Sequence, residues 1–578
     1  MSVKFLTSSV RSHTNQFRVI PKQNNNSKCV YSHRMEEYLQ PIFSEVIKTI
    51  APEFSGLIQF ETPQNTDHGD LSTNVAMILA KELKKAPRIV AGEIIGKIRK
   101  DPALLEAVEI AGPGFINIRF SRSYFQRSLG ELLSVGAEYG HSKKNEGKIV
   151  NLEWVSANPT GNLHAGHGRQ VCLGAAIANL LEWTGYKVVR EYYFNNAGNQ
   201  MRNLALSTRV RYLQELGQKI ELPEDGYHGA EIVEIAKELV ERHGNGLENA
   251  EVTDFQKFAE EANFARIKKT LHRLGVHHDI YFNENTLYES GAIERMISEL
   301  KEKGLAYDKD GAVWLKLSEM GQDEDRVIVR SNGEPTYRLP DICYHKDKLS
   351  RGYDFIIDIF GADHIATIPD VLAAVKALGF DSDKVKVIIH QMVTFISGEE
   401  VIKFSKRSGS NYLLDELIDD VGTDATKYFF NMRTAGSHLE FDVELAKEQS
   451  EKNPVYYVQY AHARVASILR FAEQQEIDTK SLLNADLTAL EHQEEISLVK
   501  ILRRFPSLVL HTAEAFAPHH ICEYLRQVAA QFHKFYHDCR IVGQPEPVQS
   551  ARLALALATK QVLASGCSIL GVTAPENM

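Results

Sequence analysis

No two of the six cysteines (Cys29, Cys172, Cys343, Cys522, Cys539 and Cys567) form a Cys-x-x-Cys pair, and they are scattered over 578 residues. That argues against a zinc site and against a disulfide framework, so no metal ligand set is expected and the chain fits a reducing, cytoplasmic setting. No apolar run approaches the ~18 residues needed to span a bilayer, so no membrane association is expected. A surplus of positive charge is missing as well: 66 Lys and Arg face 76 Asp and Glu, for a net charge of −10. A nucleic-acid binder gains affinity by neutralising phosphates, but a large enzyme can carry one basic stripe on an acidic body. The sequence does not locate such a stripe. Residues 1–34 contain no Asp or Glu and are rich in Ser, Asn and basic residues. They read as a disordered basic extension. A tail, or an upstream start with Met35 as the true beginning, suits this poorly amphipathic stretch better than an organellar transit peptide.

Hydrophobic residues make up 43% and charged residues 25% of the chain, ordinary values for a globular protein. The length exceeds what one core can organise, so about three or four domains are expected.

The most informative stretch is Asn158-Pro-Thr-Gly161-Asn-Leu-His164-Ala-Gly166-His167. Upstream, Ile149–Val155 is β-rich; downstream, Val171–Leu181 is rich in Ala and Leu and forms helix readily. A strand, a tight turn and a helix N-terminus make a phosphate site, because free N–H groups and the positive dipole end face the ligand. The His-x-Gly-His spacing puts both imidazoles on that face, and Gly166 leaves room for a flat group. Histidines near a helix start are ordinarily surface or capping residues, so the turn alone does not decide the matter. Far downstream stands Lys403-Phe-Ser405-Lys406-Arg-Ser-Gly-Ser410. A short basic cluster is ordinarily a solvated loop. This one has the chemistry to close over a polyphosphate and neutralise charge on a pyrophosphate leaving group.

With both motifs in order the chain resembles the class I aminoacyl-tRNA synthetases, most closely the bacterial arginyl-tRNA synthetases. The resemblance runs from about Met35 to Met578. It is carried by Val155–Gly161, Glu191–Gln200, Tyr337-Arg-Leu-Pro-Asp341, Gly361-Ala-Asp363-His364, the Lys403 loop and Asn453–Arg464. It implies a Rossmann-like α/β catalytic domain with a doubly wound parallel sheet, an N-terminal α+β domain and a C-terminal all-α anticodon-binding domain. Boundaries are expected at 35–120, 121–430 with a helical insertion at about 200–275, and 431–578. The first of these contacts the tRNA elbow in the resembled family; the residues themselves suggest only a structural unit.

Local readings fill in this plan. Met35–Ala51 is an amphipathic helix, Asp70 caps a second helix running through Val75 and Leu79, and Val108–Phe120 is a strand pair turning at Gly112-Pro-Gly114. Strand-like runs recur at Tyr353–Phe360 and Lys384–His390, and strand signals nearly vanish beyond Phe441. Ligand sites in such sheets lie at the carboxyl ends of strands, where the His164 turn and Gly361–His364 both fall. The stripe Val455, Tyr456, Val458, Tyr460, Val465 has helical spacing and is ordinarily core, although exposed aromatics can stack on splayed bases.

Arginine's side chain is a planar cation that calls for carboxylates with aromatic or hydroxyl support. The resemblance assigns this task to Glu284, Tyr337 and Asp341, with Asp363 assisting, and gives the backbone end of the amino acid to Ser156 and Asn158. ATP, accompanied by Mg²⁺, falls to Gly161, His164, Gly166, His167, Gly361, Lys403, Ser405 and Lys406. His164, His167, Lys403 and Lys406 are the catalytic set. Phe404 stands where the family usually has Met. The implied reaction is formation of arginyl-adenylate, then transfer to the terminal adenosine of tRNA(Arg), by a monomer. Three other readings stay open on residues alone: a synthetase for another amino acid, a small-molecule nucleotidylyltransferase, and a non-catalytic tRNA-binding relative.

Overall fold

Five strands, each joined to the next by a crossover, supply the frame for everything else. The structure is a computed structural model and describes residues 35–578 apart from Gln64, Asn195, Ala197, Glu399 and 403–411. The expected extension 1–34 and the Lys403 loop, with Lys403, Ser405 and Lys406, therefore lie outside the described residues.

The chain enters through the helix Met35–Ile50, whose Leu39, Phe43, Val46 and Ile47 are buried. A three-stranded antiparallel sheet follows, β1 (Leu71–Thr73), β2 (Leu105–Ala111) and β3 (Phe115–Phe120), in the order β1-β3-β2. The turn at 112–114 is as expected, with Gly114 at a positive φ and so close to Pro87 that a Cβ would lie 2.7 Å from it. Asp70 is not a helix cap. The short strand β1 intervenes, the helix Val75–Leu83 begins after Asn74, and Asp70 instead accepts from the Phe120 N–H at 2.8 Å and pairs with Lys500 at 2.6 Å.

The central sheet contains β4 (Ile149–Glu153), β5 (Lys187–Phe194) and β6 (Ile280–Asn283). Between β5 and β6 the chain leaves to build three helices, Asn199–Glu215, Ala230–His243 and Val252–Arg273, around their own core of Leu204, Tyr212, Ile235 and Phe255. After β6 comes a second excursion, the antiparallel strands β7 (Ala306–Lys309), β8 (Ala312–Leu315) and β9 (Arg326–Val329). No strand was expected there, although a signal existed. Asp310-Gly311 joins β7 to β8 with both residues at positive φ, as a two-residue hairpin turn requires.

The chain then returns to add β10 (Phe355–Gly361) and β11 (Val385–His390) on the other side of β4. The order is β11-β10-β4-β5-β6 and every pairing is parallel, so this is a doubly wound sheet. The strand order reverses between β4 and β10, and ligands of such sheets sit beyond the strand ends at that point. A small sheet of β12 (Val393–Ser397), β13 (Glu400–Val401) and β14 (Leu439–Asp442) follows. Beyond Asp442 the described residues hold helices and no strand.

Two of the C-terminal helices carry weight later. Asn453 caps Pro454–Gln474, its side chain accepting from the N–H groups of Val455 and Tyr456. The expected stripe divides: Val455, Val458 and Val465 are core, whereas Tyr456 and Tyr460 stack on each other, half-buried. The final helix, Val548–Leu570, amends the expectation about apolar segments, being long and apolar enough to cross a membrane. Its apolar faces are buried against the helices Arg122–Val135, His167–Trp183, Pro454–Gln474 and His519–Asp538.

Candidate active site

At the reversal point, a cleft of about 940 Å³ opens over the ends of β4 and β10. One wall is the turn after β4, and it starts with strain. Val155 and Ser156 have φ of +74° and +41°. A β-branched residue in that region costs on the order of 1–3 kcal/mol. The kink delivers the Ser156 hydroxyl, which donates to Glu153 Oε1 at 3.0 Å and accepts from the Tyr193 N–H at 3.0 Å. Asn158 follows, bonded to Gln200 at 2.8 Å.

The helix expected after the histidine turn begins at His167. The His164 and His167 rings stack with centroids 3.5 Å apart, and the His164 N–H donates to Nδ1 of His167 at 3.2 Å. That bond leaves the proton of the neutral ring on Nε2, free to donate into the cleft. Burial, reinforced by the facing His164 and His390, lowers the His167 imidazole to about 3, so it works as a neutral donor at physiological pH. Burial also lowers His164. At Gly166 a Cβ would meet the His164 ring at 3.0 Å, so the glycine is what allows the stacked pair to form.

The opposite wall carries the carboxylates. Glu284, buried, follows β6, with the Tyr288 hydroxyl at 3.5 Å. Asp341 lies in the first turn of the helix Arg338–Ser350, half-buried, and Tyr337 is exposed at the lip. Burial raises the Asp341 carboxyl to about 7; Glu284 and Glu153 push in the same direction, against His345 and Lys348. Burial raises Glu284 too, with the tyrosines 193 and 288 opposing. Two buried acids that resist ionisation are suited to a ligand that brings its own positive charge. The Tyr193 ring lies 4.6 Å from Tyr344 and stacks on Phe282, giving the pocket an aromatic side. Beyond β10, Gly361 and Asp363 line the third side, Asp363 exposed and 3.6 Å from His364.

Ser156, Asn158, His164, Gly166, His167, Glu284, Tyr337, Asp341, Gly361 and Asp363 therefore share one cleft. Gly161 does not line it and faces Glu231 of the helical insertion instead. The residues flanking the 403–411 segment converge on the same place. Ile402 bonds Phe395, while Tyr412 O accepts from the Ala165 N–H at 2.7 Å and Leu414 N–H donates to Leu163 O at 2.8 Å. Several cleft residues escaped the sequence reading: Glu153, Gln170, Tyr193, His345 and His390. Asp341, His345 and Lys348 fall at i, i+4 and i+7, one helix face, a pattern that reads as a solvated charge stripe until the sheet beneath is known.

Comparison with known proteins separates the readings the residues left open. Family models match three consecutive stretches: "Arginyl tRNA synthetase N terminal domain" at 37–120, "tRNA synthetases class I (R), catalytic domain" at 128–435, and "DALR anticodon binding domain" at 458–578. The chain is 45% identical over 548 residues to an arginine–tRNA ligase of Desulfotalea psychrophila, spanning 94% of this chain and 99% of that one. The chain belongs to the arginyl-tRNA synthetase family. It is thus a class I aminoacyl-tRNA synthetase. A second relative, the arginine–tRNA ligase of Chlorobaculum tepidum, is 46% identical over 551 residues and is matched in full. Among solved structures, an arginyl-tRNA synthetase from Campylobacter jejuni aligns with a TM-score of 0.73 at 33% identity, over 79% of this chain and 100% of that one. The Thermus thermophilus synthetase, at 21% identity, has the same fold with a TM-score of 0.71 over 94% of this chain and 100% of that one.

Proposed function

We propose that this arginyl-tRNA synthetase joins arginine to ATP in the cleft between the His164 turn and Asp341, then passes the arginyl group to the 3′-terminal adenosine of tRNA(Arg). The observation that carries the reading is the pairing, across one cavity, of neutral imidazole donors with the two acids Glu284 and Asp341.

Arginine's carboxylate oxygen attacks the α-phosphorus of ATP, the bond to the β-phosphate bridging oxygen breaks, and pyrophosphate leaves. No covalent enzyme intermediate forms; positioning and charge stabilisation lower the barrier. His164 and His167 donate to the phosphates and Gly166 admits the adenosine. Gly161 supports the turn from the insertion side, Gly361 borders the nucleotide, and Lys403, Ser405 and Lys406 meet the β- and γ-phosphates. ATP enters as its Mg²⁺ complex. Glu284, Tyr337 and Asp341 read the guanidinium, Asp363 assists, and Ser156 and Asn158 hold the amino-acid end. A ribose hydroxyl of the tRNA terminus then attacks the arginyl carbonyl, releasing AMP.

Domain roles follow the family: residues 35–120 contact the tRNA elbow, 121–430 hold the chemistry, and 431–578 hold the anticodon. The working form is a cytoplasmic monomer without membrane association. ATP–pyrophosphate exchange with each amino acid in turn, with and without tRNA, tests the reading. Arginine alone is expected to support exchange; exchange with another amino acid, or with none, overturns it.

A further inference from the structure

Beneath the cleft, hydrogen-bonded side chains form one unbroken line. It begins where the Ser156 hydroxyl donates to Glu153 Oε1 at 3.0 Å. Glu153 Oε2 accepts from the Lys348 ammonium at 2.8 Å. The same ammonium donates to Asp358 Oδ1, and Asp358 Oδ2 meets His345 Nε2 at 3.1 Å. The other ring nitrogen of His345 bonds the backbone carbonyl of Asp341 at 2.8 Å. Glu153, Lys348, Asp358 and His345 are all buried. The line starts at one end of the proposed arginine site and finishes at the other.

Lys348 is the member that holds it together. Glu153 and Asp358 are direct partners on the paired parallel strands β4 and β10, so two carboxylates lie side by side in a dry sheet. Burial alone would raise Asp358, yet the Lys348 charge and the His345 bond bring it down to about 2. Burial likewise opposes charge on Lys348, and Asp358 and Glu153 outweigh it. Lys348 also belongs to the helix that carries Asp341, about two turns further on. With Tyr344 and Arg351, which bond Glu191 of β5, its ammonium therefore sets how that helix sits over the sheet. Displacing the helix moves Asp341, while Ser156 stays bonded to Glu153 at the end of β4 and to the Tyr193 N–H of β5.

We propose that Lys348 is a positioning residue for the amino-acid site: it fixes the separation between Ser156 and Asp341, and so sets the length of cationic side chain the site accepts. This deepens the function proposed above and rests on it. Lys348 itself does not line the cleft, so its effect passes through Glu153 and His345, which do. A guanidinium one methylene further out cannot meet Asp341 while its backbone end stays at Ser156.

The test is ATP–pyrophosphate exchange by the full-length enzyme with tRNA present, using arginine and homoarginine. Lys348→Met is expected to raise the arginine KM about tenfold or more, to leave the ATP KM unchanged, and to cut discrimination against homoarginine about tenfold. It also leaves two buried carboxylates, Glu153 and Asp358, without their shared counter-charge and lowers the melting temperature. The double variant Lys348→Met with Asp358→Asn removes one of these two unpaired charges. It is expected to regain part of the lost melting temperature while keeping the raised arginine KM and the weak discrimination. Wild-type kinetics in the double variant would overturn the proposal, because a merely structural lysine predicts recovery of both. If the single variant does not fold, the double variant carries the test alone. Asp341→Ala separates the two levels. An unchanged arginine KM there removes the pocket reading itself. A raised KM there, with wild-type discrimination in the double variant, removes only the role of Lys348.

Discussion

Nδ1 of His167 accepts the backbone N–H of His164 at 3.2 Å while the two rings stack, so position and tautomer are settled by one bond within the turn. Because burial lowers His167 to about 3, no charge change occurs on it across the physiological range. His167→Ala is expected to reduce kcat for pyrophosphate exchange about 10²–10³-fold, the cost of one preorganised donor, with little change in arginine KM. The ratio of wild-type to variant rates should stay flat from about pH 5 to 8. A loss that deepens toward acid would mean that the imidazolium is the working form.

Asp341 titrates in the middle of the working range. Burial raises its carboxyl to about 7, from about 3.9 in an unfolded chain. Below pH 7 it is protonated and the pocket loses an anion, so arginine KM should rise as pH falls through 7 and level off above it. Folding runs the other way. The unfolded chain ionises this acid from about pH 4 upward and the folded chain resists until about 7, so the group opposes folding increasingly across that interval. Asp341→Asn should therefore raise the melting temperature at pH 8 and leave it unchanged at pH 4, while weakening arginine binding throughout. Calorimetry and exchange kinetics at the two pH values check both halves.

Gly168 sits one residue into the histidine helix, where a Cβ would lie 2.5 Å from the Phe430 ring and 2.8 Å from Leu414. Gly168→Ala should cost about 1–3 kcal/mol by overpacking. Leu414 is bonded through its backbone to Leu163, so the strain reaches the turn as well. Denaturant unfolding measures the first effect. A rise in ATP KM larger than the rise in arginine KM would report the second.

If Lys406 meets the charge that develops on the leaving group, as proposed above, Lys406→Ala should slow pyrophosphate exchange about 10²-fold and leave arginine affinity nearly intact. Wild-type exchange in that variant removes the loop from the mechanism.

The histidine turn was legible because its parts are neighbours in sequence: a β-rich run, Pro159, Gly161 and a helix start read in order. The parallel sheet was legible in outline for the same reason, each strand being a local apolar run with a helix after it. The floor of the site was not. Glu153 and Asp358 become partners only through the register of β4 on β10, 205 residues apart, and nothing local announces it. Lys348 resembles any surface lysine, and a fully buried one is rare enough that sequence reasoning assigns it to solvent. Asp70 went astray through a three-residue strand too short to carry a periodic signal. The proposed arginine-reading residues Glu284, Tyr337 and Asp341 came from resemblance to a family; what the fold adds is that they converge on the cleft that holds the histidines.

The helix His167–Trp183 bears on the last helix of the chain, where the Asn179 amide donates to Ile569 O at 3.0 Å. Asn179 stands twelve residues from His167, about 18 Å along the axis. The arrangement is a lever with the His167 imidazole of the proposed ATP site at its tip. A tilt of about 3° at the C-terminal domain carries that tip about 1 Å, and a misplacement of that size is worth about 10²-fold in rate. Mechanical play in the helix packing is therefore bounded by chemistry at the far end.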